Sequence, residues 1–104
     1  SCMEVRFAKA KAGHDKNHIY MVKEEKDGFV FLINGITKCV TNPKKKAKKH
    51  VQMIKYLPKH IETFFLGKTE ISDEMVAYAL KEYAIYTKQD QIIIETEKNR
   101  NQED

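Results

Sequence analysis

The chain has no tryptophan, only two cysteines, two prolines and four glycines, and no apolar run near the length of a membrane helix. Each shortage excludes something. Two cysteines cannot build the disulfide framework of a small secreted domain, so a reducing cytoplasm is the expected compartment. Cys39 falls in an apolar alternation and suits a small buried residue better than a reactive thiol. The most apolar run, Phe29–Ile33, is far shorter than the roughly 20 residues of a membrane span, and no opening apolar stretch resembles a signal peptide. No membrane role is expected. Hydroxyl residues are few, and no nucleophile, base and orienting group form a motif. No glycine-rich phosphate loop precedes a helix. Neither an enzyme, a cofactor nor a small-molecule substrate is therefore expected. His14 and His18 stand four apart across a turn, and no C-x-x-C accompanies Cys39 or His50, so a metal site is not expected either.

What the chain does have is uneven charge. Its 104 residues carry 19 Lys/Arg against 15 Asp/Glu, a formal +4. Residues 1–60 hold 14 basic and 5 acidic side chains, and residues 61–104 hold 5 and 10. A basic first half and an acidic second half suggest one surface built for a polyanion, or an acidic segment that folds back to shield it. The densest stretch is Pro43-Lys44-Lys45-Lys46-Ala47-Lys48-Lys49-His50. Lysines this crowded repel one another and need either water or a polyanion. A nucleic acid gains from them by releasing phosphate counterions. With 41% hydrophobic residues, the length suits one small domain with a modest core.

Taken in order, residues 4–12 alternate as a strand, with Val5 and Phe7 on one face and Arg6, Ala8, Ala10 and Ala12 on the other. The alanines fit a tightly curved sheet. Gly13–Asn17 breaks the pattern, and Gly13 and Asn17 can both take positive φ. His18–Glu24 is a second strand, Lys26-Asp27-Gly28 a turn, and Phe29–Ile33 a central third strand with no polar face. Asn34-Gly35 reads as a type I′ hairpin leading to a fourth strand over Ile36–Val40. Asn42-Pro43 ends that strand, and the lysines leave from its edge. A fifth strand is expected over Val51–Lys55. Beyond Pro58, Ile61–Leu66 reads as one or two helical turns. Ser72 is an N-cap, with Asp73 and Glu74 at the positive helix end and Ile71 and Val76 spaced as a hydrophobic staple. That helix should run to about Tyr86 or Thr87, with Val76, Ala79, Leu80, Tyr83 and Ala84 on its core face. Gln91–Glu97 reads as a strand or ragged helix, and residues 98–104 as disordered.

The predicted fold is mainly β with a C-terminal α element: a small SH3-like β-barrel of about five strands, then one main helix. Residues 1–57 would form the barrel, 58–90 a helical extension packed on it or on a partner, and 91–104 an acidic, flexible tail.

The order Lys11-Ala12-Gly13, then His14-Asp15-Lys16-Asn17, then Ile19-Tyr20-Met21-Val22 resembles the KOW motif of ribosomal proteins and transcription elongation factors. The likeness continues through Asn34-Gly35, Lys38, Pro43-Lys44-Lys45-Lys46 and Lys49-His50. That order looks like the KOW-domain RNA-binding proteins of Gram-positive bacteria, relatives of an SH3-like large-subunit ribosomal protein family of archaea and eukaryotes. The segment ISDEMVAYALKEY is similar to the helix that follows the barrel in some bacterial members. The resemblance covers roughly residues 5–86. It implies a non-catalytic, ribosome- or translation-associated RNA-binding protein. The family usually has arginine at His14 and glycine at Asn17. Asparagine tolerates the left-handed region, whereas histidine gives up a permanent charge and a bidentate fork.

On this reading the RNA-binding residues are Lys9, Lys11, Gly13, His14, Lys16, Asn17, Lys38, Lys44, Lys45, Lys46, Lys48, Lys49 and His50. Asp15 would order the loop by accepting from nearby backbone N–H groups. Lysines act as point charges that hold phosphates without reading sequence. Tyr20, Phe29, Phe31 and Tyr56 suit stacking on bases if exposed, but alternate as core residues do. Two other functions fit the same residues. One is an SH3-like protein-interaction module, or a homodimer, using Tyr78, Ile85 and Tyr86 on the helix. The other is DNA binding by charge alone.

Overall fold

The computed structural model describes the backbone of residues 4–101 and the side chains of residues 4–89. Five strands form one antiparallel sheet: β1 (Phe7–Ala10), β2 (Ile19–Lys26), β3 (Phe29–Ile33), β4 (Lys44–Ala47) and β5 (Val51–Met53), in the order β4-β3-β2-β1-β5. A single 3-10 turn, Lys48–His50, links β4 to β5. Two helices follow, α1 (Lys59–Phe65) and α2 (Asp73–Asn101). The fold is thus mainly β with C-terminal helices, as expected.

Each face of the sheet carries a buried cluster, and β3 contributes to both, Ile33 to one and Val30 and Leu32 to the other. On one face Phe7, Met21 and Ile33 pack against Ile61 and Phe65 of α1 and Val76 and Ala79 of α2. On the other, Ala8 and Ala10 meet Tyr20, Val22, Val30, Leu32 and Val51. This second cluster joins the edge strand β5 to the middle of the sheet, so the sheet is curled about it. Alanines at positions 8 and 10 leave room for that curl. A bulge between Val22 and Glu24 bends the β2–β3 ribbon in the same place. Asp27 and Gly28 join β2 to β3 with φ of 53° and 80°, the two positive values that a type I′ turn requires.

The expected hairpin at Asn34-Gly35 and the strand over Ile36–Val40 do not form. Asn34 is not among the positive-φ residues, so a type I′ turn is impossible there. Instead Asn34 Oδ1 accepts from the backbone N–H groups of Ile36, Thr37 and Lys38 at 2.9–3.0 Å. A side chain that satisfies three consecutive donors winds the chain into a loop and leaves no donors for a ladder. α2 occupies the space beside it. A Cβ on Gly35 would overlap the Asp73 carbonyl oxygen and stand 2.8 Å from Ala77 N. Val40 N donates to Asp73 Oδ1 at 2.8 Å, fastening the loop to the helix start.

The free edge of β3 is taken instead by the lysine run. Pro43 precedes this strand rather than ending one, and Lys44–Ala47 pairs with Phe29–Leu32. Helix positions follow the sequence signals more closely. Ser72 Oγ accepts from Met75 N at 3.2 Å, as an N-cap should. Val76 is fully buried, with Ile71 packed on the same cluster. Of the expected core face, Ala79 is buried, Leu80 and Tyr83 half-buried and Ala84 exposed. α2 does not stop near Thr87 but continues to Asn101, so residues 91–97 take the helical of the two expected forms and residues 98–101, expected to be disordered, are helical as well. Nothing between Tyr86 and Asn101 is a proline or glycine, so no residue there breaks the helix. Residues 102–104 of the expected flexible tail lie outside the described residues. None of the described helices is long and apolar enough to cross a membrane.

Candidate nucleic-acid interface

Strand pairing decides which lysines of the run remain free. In β4, Lys44 lies opposite Leu32 and Lys46 opposite Val30, on the face that carries the inner cluster. An ammonium there needs a counter-charge. Asp15 supplies it from the loop between β1 and β2. Lys46 Nζ donates to Asp15 Oδ1 at 2.7 Å, and Lys44 Nζ to Asp15 Oδ2 at 2.8 Å. Tyr20 Oη donates to the same Oδ2 at 3.0 Å, and Lys46 Nζ also reaches the Ala12 carbonyl at 2.7 Å. Asp15 is 7% exposed. It was expected to accept from backbone N–H groups, but its partners are two ammonium groups and a phenol, because β4 brings these within reach.

This arrangement governs ionisation. Burial by itself raises the Asp15 pKa, but the hydrogen bonds from Lys44, Lys46 and Tyr20 outweigh it and hold the carboxyl well below the usual range. Burial, then the Asp15 carboxylate, pushes the Tyr20 phenol up to about 12. Burial, then Asp73, also raises the half-buried Cys39 thiol, which keeps it out of the reactive thiolate form.

The remaining lysines of the run differ from one another. Lys48 pairs with Glu25 at 2.7 Å, and Arg6 with the same carboxylate at 2.9 Å. These hydrogen bonds, first Lys48 and then Arg6, lower the Glu25 pKa. Lys45 points to the opposite face from Lys44 and Lys46, with its ammonium 4.3 Å from the Phe29 ring centroid. That contact leaves its charge unneutralised. Lys49 and His50 are exposed on the 3-10 turn.

The β1–β2 loop is the second half of the site. Asn17 N donates to the Ala10 carbonyl and His18 N to that of Asp15. Gly13 and Asn17 take φ of 93° and 73°, as their residue types allowed. A Cβ on Gly13 would stand 3.3 Å from both Asp15 Oδ1 and Lys46 Nζ, so glycine lets the loop close over the ion pair. Lys11, His14, Lys16 and His18 are left exposed. Lys11 N donates to the His50 carbonyl at 2.8 Å, which sets the loop directly beside the 3-10 turn. Among the described residues, none of Lys11, His14, Lys16, Lys49 and His50 forms an ion pair.

Lys9 is half-buried on β1, between Ile19 and Gln52. Lys38 sits in the other loop, its backbone bound to Asn34. Of the aromatic candidates, Tyr20 is core, Phe31 half-buried and Phe29 partly exposed. Tyr56 is 85% exposed. Most of the four were expected in the core; the fifth strand, expected to reach Lys55, ends at Met53, and Tyr56 falls beyond it. Among the described residues, no three His, Cys, Asp or Glu side chains converge as a metal site would require.

No family model and no curated protein matches this chain.

Proposed function

We propose that this protein is a non-catalytic RNA-binding protein with an SH3-like, KOW-type β-fold, ribosome- or translation-associated and cytoplasmic. The observation that carries this reading is the hydrogen bond from Lys11 N to the His50 carbonyl. It joins two basic segments, far apart in sequence, into one surface whose cations have no carboxylate partners among the described residues. Lys11, His14, Lys16, Lys49 and His50 contact phosphates there, and Lys45 extends the surface along the outer face of β4. Lys44 and Lys46 hold the loop in place through Asp15 and contribute less to binding.

With three to five phosphate contacts, log affinity falls with log salt with a slope of roughly −2 to −4. The test replaces Lys11, Lys16 and Lys49 by Glu and measures retention of ribosomal RNA across a salt series. Retention should be lost while the circular dichroism spectrum is unchanged. Salt-insensitive binding, or full retention by the triple variant, would sink the reading.

A protein contact is the second reading. Tyr78, Ile85 and Tyr86 stand 43–48% exposed on α2, a surface that suits a partner or a second copy. Replacing Tyr78 and Tyr86 by Ser should then change the mass in solution or release the partner, with RNA binding intact.

A further inference from the structure

A groove of about 950 Å³ runs between α2 and the β1–β5 edge. Its apolar wall is Leu80 and Tyr83 of α2 facing Met53 and Ile54. Tyr83 is fixed by an edge-to-face contact with Phe7, ring centroids 5.4 Å apart. Tyr56, 85% exposed, also lines the groove. Lys9, His18 and Lys55 also line it, and among the described residues none that lines it is acidic. That absence is informative, because Glu74 and Glu82 lie on the same helix and neither borders the groove. Asn17 and Gln52 add amide donors and acceptors. The groove borders the phosphate-binding surface, since Asn17 and His18 continue the β1–β2 loop.

Aromatic side chains, amides and cations without a carboxylate suit a ligand with a flat apolar body, hydrogen-bonding edges and negative charge. A nucleotide has all three. A base inside a duplex cannot present its face, so the ligand is unpaired. We propose that this groove takes an unpaired nucleotide of a single-stranded RNA segment, its base against Tyr56 and Tyr83 and its phosphate beside Lys9, His18 and Lys55. The proposal rests on the RNA-binding reading above and adds a preference for single strands that phosphate contacts alone cannot produce.

The test compares anisotropy titrations of a labelled short single-stranded RNA and the same sequence as a blunt duplex. Tyr56→Ala removes an exposed ring without disturbing the core. Ala84→Leu fills the groove from an exposed helix position. Each variant should weaken single-strand binding on the order of tenfold, as loss of base–aromatic stacking does, and leave duplex binding unchanged. Equal losses for both RNAs, or none for either, overturn the proposal. The Lys11, Lys16 and Lys49 to Glu variant separates the two readings. If it loses both RNAs while Tyr56→Ala loses neither, the groove proposal alone fails, and the groove is left to a protein segment. If it keeps both, the RNA-binding reading itself fails.

Discussion

Asp15→Asn isolates the contact that ties the β1–β2 loop to β4. Asparagine keeps the shape and one acceptor but removes the charge between two ammonium groups. At an effective dielectric near 20, each pair at about 2.8 Å attracts by about 6 kcal/mol before solvation is counted. Taking the ions out of water offsets most of that. Removing one partner of a fully buried pair costs about 3–5 kcal/mol, because the other charge is left without compensation. Here the two lysines differ. The Lys46 side chain is 11% exposed and that of Lys44 is 31% exposed, so Lys44 regains water on losing its partner and Lys46 does not. We expect a loss of about 3 kcal/mol for Asp15→Asn. In urea denaturation, with an m-value of about 1.5 kcal/mol/M, the midpoint falls by about 2 M. Lys46→Met should cost less than Asp15→Asn, since Asp15 keeps Lys44 and Tyr20, and Lys44→Met should cost least. A midpoint for Asp15→Asn indistinguishable from wild type would refute the reasoning. So would a Lys44 variant less stable than the Lys46 variant. If Asp15→Asn stays folded in the cold, the freed Lys44 ammonium should, on the proposed RNA-binding reading, also steepen the salt dependence of binding, by up to about 1 in slope.

Two further outcomes follow from the same geometry. Gly35→Ala drives a methyl into the Asp73 carbonyl at a φ of 78° and should lower stability by well over the ~1 kcal/mol that positive φ alone costs an L-residue. Gly67→Ala, with φ 79° and open space around it, should cost only that smaller amount, and thermal melts of the pair separate the two terms. The second concerns pH. Tyr20 has a folded-state pKa raised from 10 to about 12, so its contribution is complete below pH 10 and is lost as pH rises from 10 toward 12, by at most about 3 kcal/mol. Tyr20→Phe should be less stable at neutral pH and lack that alkaline loss. Chemical denaturation at stepped pH, compared between the two proteins, reads it directly. On the acid side the depressed Asp15 pKa gives the opposite sense. Its contribution is complete above the ordinary carboxylate range and is lost progressively as pH falls below that range toward the depressed folded-state value.

Much of the fold was legible in the sequence because its causes are local. Asp27-Gly28 can adopt two successive positive φ values, so the β2–β3 turn is written in two residues. Ser72 followed by acids marks a helix start, and the alanines at positions 8 and 10 mark a tight curl. Charge asymmetry placed the basic surface in the first half. Asn34-Gly35 carries the same turn signal as Asp27-Gly28, yet it became a capped loop. What differs is the neighbour: α2 lies against Gly35, and Asp73 takes the Val40 amide. Similarly, nothing in Lys44-Lys45-Lys46-Ala47 reads as a strand, since like charges this close disfavour one. They form β4 because β3 offers an unpaired edge and because Asp15, far earlier in the chain, gives the inward pair a shared counter-charge. Composition and local spacing thus determined that the chain carries a lysine-rich surface, a curled sheet and a capped helix. Which lysines stay unpaired among the described residues was decided only in three dimensions, because a buried ammonium must find a counter-charge that sequence distance does not reveal.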